Sequence, residues 1–180
     1  WARGYLTLTE TSSETYRPDM TRPITLAVAA AMLATSPAGA AEPRTLPGVE
    51  DAYKSTAFIA DPMPAIDAAL DAARQSGKPV LLIMGTGGCH DSAWLANLIA
   101  TDRFAPVRAR YEIVHADIGM PHVRGWGRNP EVAKRFRFKI KGTPTVAILD
   151  ADGRVLNRKA APKWRNAASR SDDDIYNELM

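Results

Sequence analysis

Val80-Leu81-Leu82-Ile83-Met84-Gly85-Thr86-Gly87-Gly88-Cys89-His90-Asp91-Ser92-Ala93-Trp94-Leu95-Ala96-Asn97-Leu98-Ile99 is the stretch on which the fold turns. Its first five residues are continuously apolar and run into glycine, the pattern of a strand covered on both faces. A loop from Gly85 to Gly88 follows, with Cys89 at its end. Beyond it, Trp94, Leu95, Leu98 and Ile99 fall on one helical stripe. Cys89 therefore belongs at a strand-to-helix junction, at or just before the first helical turn.

Working outward, the alternation continues on both sides. Upstream, Ile66, Ala69, Leu70 and Ala73 recur at three and four within Pro64–Ser76, an amphipathic helix that Gly77 stops before Pro79 opens the strand. Downstream, Tyr111–Asp117 alternates as a second strand. Asn129 then caps a helix with Pro130 at its first position, and Val132 pairs with Phe136 along it. After Gly142-Thr143-Pro144, Thr145–Leu149 is an apolar strand; Asp150–Gly153 turns it into a hairpin returning through Arg154-Val155-Leu156. Ser171 followed by Asp174 resembles a capping box opening a last helix, with Ile175 and Leu179 one turn apart. No C-cap glycine closes that helix before Met180, and the reading is of a sequence cut short there. The sum is an α/β chain with a mixed sheet flanked by helices.

Composition sets outer bounds. The chain has 180 residues with 46% hydrophobic and 24% charged content, which suits one folded domain with an appendage. It argues against a fully disordered, coiled-coil, collagen-like or polytopic membrane protein. A formal charge of +3 is weak ground for nucleic-acid binding, and none is expected. A single cysteine leaves no internal disulfide and no CxxC zinc site, so Cys89 must work with a partner outside the chain.

The front end is not expected to join the fold. Met20, Arg22, the apolar run Ile24–Ala34 and the small-residue stretch Ser36–Ala40 have the order of a secretory signal peptide over 20–40. The apolar run is 11 residues long, whereas a bilayer span takes roughly twenty; an uncleaved anchor is the lesser alternative. Residues 1–19 read as an upstream extension of the frame, 41–60 as a leader loop, and 61–180 as the domain. The product is expected in the bacterial periplasm or outside the cell, where disulfides are permitted.

With these residues in hand, the chain from about Asp61 onward resembles the thioredoxin-like proteins. The resemblance is carried by Gly77-Lys78-Pro79-Val80-Leu81-Leu82, by Gly88-Cys89-His90-Asp91-Ser92, by Gly142-Thr143-Pro144 and by Thr145–Leu156. It implies a central mixed sheet flanked by helices, with Cys89 as the nucleophile and Pro144 as a cis-proline lying against it. The departures bear on function. Ser92 stands where the fully active members carry a second, resolving cysteine, Gly88 stands where they carry tryptophan, and Ile83 stands where they bury an acid.

A thiolate at a helix N-terminus is favoured by unpaired backbone N–H groups and the dipole. His90, if protonated, adds to this and Asp91 opposes it. Ser92, one turn on, is expected to donate a hydrogen bond to the sulfur. Gly87 and Gly88 are expected to keep bulk away from it. Attack on a disulfide gives a mixed disulfide that only an external thiol, glutathione for example, can release. The catalytic candidates are Cys89, Ser92 and Pro144; the substrate-binding candidates are Gly88, His90, Thr143 and Lys141. Protein disulfides or glutathione mixed disulfides are the expected partners, with no resident cofactor. Against monothiol exchange or isomerisation stands a second reading, a redox-inactive binding module that keeps the fold for its shape.

Other chemistries fare worse. Cys89 and His90 are adjacent and point apart, His115 and His122 are the remaining histidines, and no second thiol completes a metal set, so no metal is expected. His115 is read as a strand residue with its own hydrogen bond. The chain has no nucleophile elbow and no phosphate-binding glycine pattern. Bases run from Arg124 through Arg128, Lys134, Arg135, Arg137 and Lys139 to Lys141, against Glu131 alone. They form either a solvated face or an attraction for an acidic partner, glutathione carboxylates among them, since Lys141 is close to Pro144 in sequence. Trp126 is either an exposed contact or a loop anchor.

Overall fold

The computed structural model describes residues 44–180; the readings of residues 1–19 and 20–40 lie outside the described residues. The elements are α1 (Pro62–Ser76), β1 (Val80–Gly85), α2 (His90–Ala100), α3 (Ala105–Arg110), β2 (Glu112–Asp117), α4 (Pro130–Arg135), β3 (Thr145–Leu149) and α5 (Asp172–Leu179). Short 3₁₀ segments precede α3 (Asp102–Phe104) and α5 (Ala161–Ser169). The strands form one sheet in the order β2-β1-β3. β1 runs parallel to β2, from Val80 opposite Glu112 to Gly85 opposite Asp117. It runs antiparallel to β3, from Val80 opposite Leu149 to Met84 opposite Thr145.

All six residues of the central strand are buried, as its unbroken apolar run requires. Alternation then sends its side chains to two cores. Leu81 and Ile83 join Trp94, Leu95, Leu98, Phe104, Trp164 and Ile175 on one face. Val80, Leu82 and Met84 join Ile66, Leu70, Val132, Phe136 and Leu149 on the other. The mixed sheet flanked by helices is therefore present as expected. Gly77 ends α1 at φ 73°, where its N–H reaches Ala73 O, a left-handed cap that glycine adopts without steric cost. At the other end of the chain, Ser171 Oγ accepts a hydrogen bond from Asp174 N, and Ile175 and Leu179 are buried.

Local structure departs from expectation in two places and adds two segments. The return after Asp150–Gly153 is not a strand of the sheet: a single bridge pairs Val155 with Leu149, because Asn157 takes over the edge by binding Ile148 N and Val146 O through its side chain. Asn129 is the N-cap of α4 with Pro130 at the helix start, as expected, but it sits in the left-handed region (φ 43°) and its side chain makes no cap bond. Its amide instead donates to Ala60 O and Asp117 O, tying three segments together. Finally, the segment 105–110 and the 3₁₀ stretch 161–169 are structured although no period in the sequence announces them.

Residues 44–60 hold no helix or strand, yet they are packed onto the domain. Leu46 and Ala52 are buried in the α2-side core. Arg44 bonds the carbonyls of Ala168 and Arg170 and pairs with Asp172. The Asn97 amide gathers the carbonyls of Asp51, Ala52 and Lys54. Ile59 pairs with His115 and Asp117 through its backbone. Among the described residues no helix is long and apolar enough to cross a membrane.

Candidate active site

The register explains where the site must be. β1 and β2 end, and β3 begins, at the same edge of the sheet. The loops at that edge carry Cys89 after β1, residues 118–129 after β2, and Thr143-Pro144 before β3. Cys89 is the N-cap of α2, with extended backbone (φ −89°, ψ 122°). Its N–H bonds Thr86 O, and its carbonyl accepts the first helical hydrogen bond, from Ala93 N at 2.8 Å. The N–H groups of His90, Asp91 and Ser92 consequently have no partner within the helix. They and the helix dipole make this end of α2 electropositive.

The sulfur does not cap the helix with a side-chain bond; it faces Thr143. Thr143 Oγ1 donates to Cys89 Sγ at 3.3 Å, and the thiol lies 3.4 Å from Thr143 O, to which it donates. The Thr143–Pro144 peptide bond is cis. Cys89 is free and partly exposed, while Thr143 is buried. The structure thus brings Cys89, Thr143 and Pro144 together. Gly88 beside them is exposed, with nothing within 4 Å of where a side chain would start. Lys141 is exposed at the head of the loop that leads to Thr143.

Ser92 behaves differently from the expectation. It is fully buried and its Oγ has no hydrogen-bond partner. A Cβ on Gly85 would collide with it, so Ser92 packs back onto the end of β1, and Thr143 is the donor to the sulfur. Gly87 is also reassigned. A side chain there would strike Ser55 O, and Ser55 N bonds Gly87 O. Its missing Cβ serves the passage of residues 44–60 across the loop and not access to the thiol.

His115 corrects a third expectation. Its Nε2 is shielded from solvent and has no hydrogen-bond partner. The ring meets Phe58 edge-on at 5.5 Å, and burial pushes its pKa down to about 4, holding it neutral. Among the described residues no three His, Cys, Asp or Glu side chains converge as a metal site would need.

Two contributors escaped the sequence. Tyr53 lies flat on His90, with ring centroids 3.9 Å apart and planes 9° from parallel. Tyr53 also stacks on Trp94, and the Arg44 guanidinium lies over the same Trp94 ring, 3.9 Å from its centroid. Asp91, expected to weigh on the thiolate, has its carboxylate held by Ala168 N at 2.9 Å. The first turn of α2 is therefore clamped from both flanks of the chain. Nothing periodic in 44–58 signals this, and an aromatic in an otherwise polar leader is the one available clue.

Residues 61–151, just over half of the chain, match the family model described as thioredoxin-like. The chain belongs to the thioredoxin-like family. A crystal structure of a disulphide isomerase from Xylella fastidiosa Temecula1 is similar to it, with a TM-score of 0.59 and 26% sequence identity. That likeness covers 75% of this chain and 95% of the other. No curated protein matches the sequence significantly.

Proposed function

We propose that this thioredoxin-like protein exchanges or isomerises disulfides through Cys89 alone, as an exported protein. The observation that carries the reading is the sulfur itself, at the open end of α2, partly exposed and receiving a hydrogen bond from Thr143 Oγ1 beside Pro144. A hydroxyl donor stabilises a thiolate more than a thiol, because charge on the acceptor strengthens the bond. The likeness to a disulphide isomerase supports the same chemistry.

The step balances without a second cysteine. The Cys89 thiolate attacks one sulfur of a substrate disulfide; a new S–S bond forms to Cys89, and the other sulfur leaves as a thiolate. In isomerisation that thiolate attacks elsewhere in the same substrate, and the sulfur finally displaced returns to expel Cys89. Electrons are neither gained nor lost overall. In simple exchange an external thiol, of which glutathione is an example, displaces Cys89 and takes the substrate sulfur. Net reduction would need two electrons from outside, since Ser92 cannot resolve the adduct.

The test uses a small neutral aromatic disulfide. Wild-type protein is expected to release the chromophoric thiol and gain the mass of one adduct, and Cys89→Ser is expected to do neither. A wild-type thiol that stays unmodified while the protein is folded overturns the reading and leaves a binding module.

A further inference from the structure

On the β2 side of Cys89 the same sheet edge carries a basic, partly apolar face. The loop after β2 is a closed scaffold: Gly119 bridges Gly127, Met120 N bonds Trp126 O at 2.7 Å, and Asp117 holds both Gly119 N and Arg128. That scaffold presents Trp126 at 61% and Val123 at 39% exposure. Such framing is not needed to bury either side chain, since neither is buried.

Next to it lies a cavity of about 350 Å³ walled by Ile118, Pro121, Ala133, Phe138 and Ile140, with Arg128 at its side. This is the small end of the range for ligand cavities, enough for one large apolar side chain. The surrounding charge is predominantly positive. Arg128 pairs with Asp117 but keeps most of its side chain in solvent, and Arg135 pairs with Asp67. Arg124, Lys134, Arg137, Lys139 and Lys141 are exposed, with no carboxylate among the described residues shown holding them. Arg158 lies over the Phe138 ring at 5.0 Å, and the exposed Arg165 packs its stem against Gly142, extending the field toward Thr143. Glu131 on α4 is the acid that opposes it.

We propose that this face receives an acidic polypeptide segment, with one of its apolar side chains lodged in the cavity, and that the segment belongs to the disulfide-bearing substrate of Cys89. The second half of this statement rests on the exchange reading above; the docking itself does not. An apolar anchor fixes register while the cations gather the acidic chain, and a predominantly positive field speeds encounter.

The test uses full-length protein carrying Cys89→Ser and three fluorescein-labelled peptides. These are a short Glu-rich peptide with one phenylalanine, its Lys-rich counterpart, and the Glu-rich peptide with the phenylalanine replaced by serine. The Glu-rich peptide is expected to bind about tenfold more tightly than the Lys-rich one at low salt, and its advantage is expected to shrink as salt is raised. Loss of the phenylalanine, or Arg124→Glu with Lys139→Glu, is expected to remove most of it. Both reversed residues are exposed, so folding should survive, and an unchanged circular dichroism melt checks this. Equal affinity for the Glu-rich and Lys-rich peptides, or an advantage indifferent to the charge reversal, overturns the docking. Preference for oxidised glutathione with none for the Glu-rich peptide also overturns it. Wild-type reaction with the neutral aromatic disulfide is read separately: peptide binding without that reaction sinks the exchange reading and leaves the docking standing.

Discussion

Acidification is expected to destabilise this domain through His115. The ring sits on β2 opposite Ile83, edge-on to Phe58, with Nε2 unpartnered and its pKa pushed down to about 4 by burial. Unfolded, the imidazole titrates near its ordinary 6.5. Between these values the unfolded chain binds the proton and the folded chain does not, so stability falls as pH falls. At about 1.4 kcal/mol per unit, the loss reaches about 3 kcal/mol by pH 4. Urea midpoints of wild type and His115→Leu, taken from pH 7 down to pH 4, read this directly. The leucine variant has no proton to bind and no orphaned ring nitrogen, so it should be as stable as wild type at pH 7 or more so. Its loss on acidification should be smaller by about that amount. Equal losses in the two proteins would refute the argument.

Other substitutions test the clamp around α2. Gly87→Ala should destabilise by about 1–3 kcal/mol, because the obstructing Ser55 O is backbone, whereas Gly88→Ala should stay within about 0.5 kcal/mol; thermal melts separate them. Asp91→Ala strands Ala168 N and should cost about 1–2 kcal/mol in denaturant titration. Asn97→Ala releases the carbonyls of Asp51, Ala52 and Lys54, and limited proteolysis should then cut within 44–60 sooner than in wild type. Thr143→Val removes the donor to the sulfur. A hydrogen bond to a charged group is worth about 1.5 kcal/mol, so alkylation of Cys89 at mildly acidic pH should slow about tenfold.

What could be read from the sequence was whatever repeats along an element. β1 announced itself because both faces of Val80–Met84 are covered, and Cys89 could be placed because a strand pattern gives way there to a helical one. The resemblance then put Thr143-Pro144 across from it. Distances between non-neighbouring side chains have no such signature. Ser92 was expected to reach the sulfur by helical spacing, yet Gly85 leaves room for it to turn inward. Asn129 takes the N-cap position its residue type suggests, but its side-chain amide is spent on two carbonyls outside the helix. His115 was credited with a partner that its packing under Phe58 does not supply. The 3₁₀ stretch Ala161–Ser169 contains Pro162 and a kink at Asn166, which reads locally as loop until Trp164 is seen buried in the core.

The family model matches 61–151, and the parts that grip the turn around Cys89 come from beyond both of those limits: Arg44, Tyr53 and Ser55 in front, Ala168 behind. A fragment trimmed to 61–151 would keep Cys89 and lose the groups that hold the turn around it. The margins of the chain therefore belong to the frame of the sulfur as much as its central segment does.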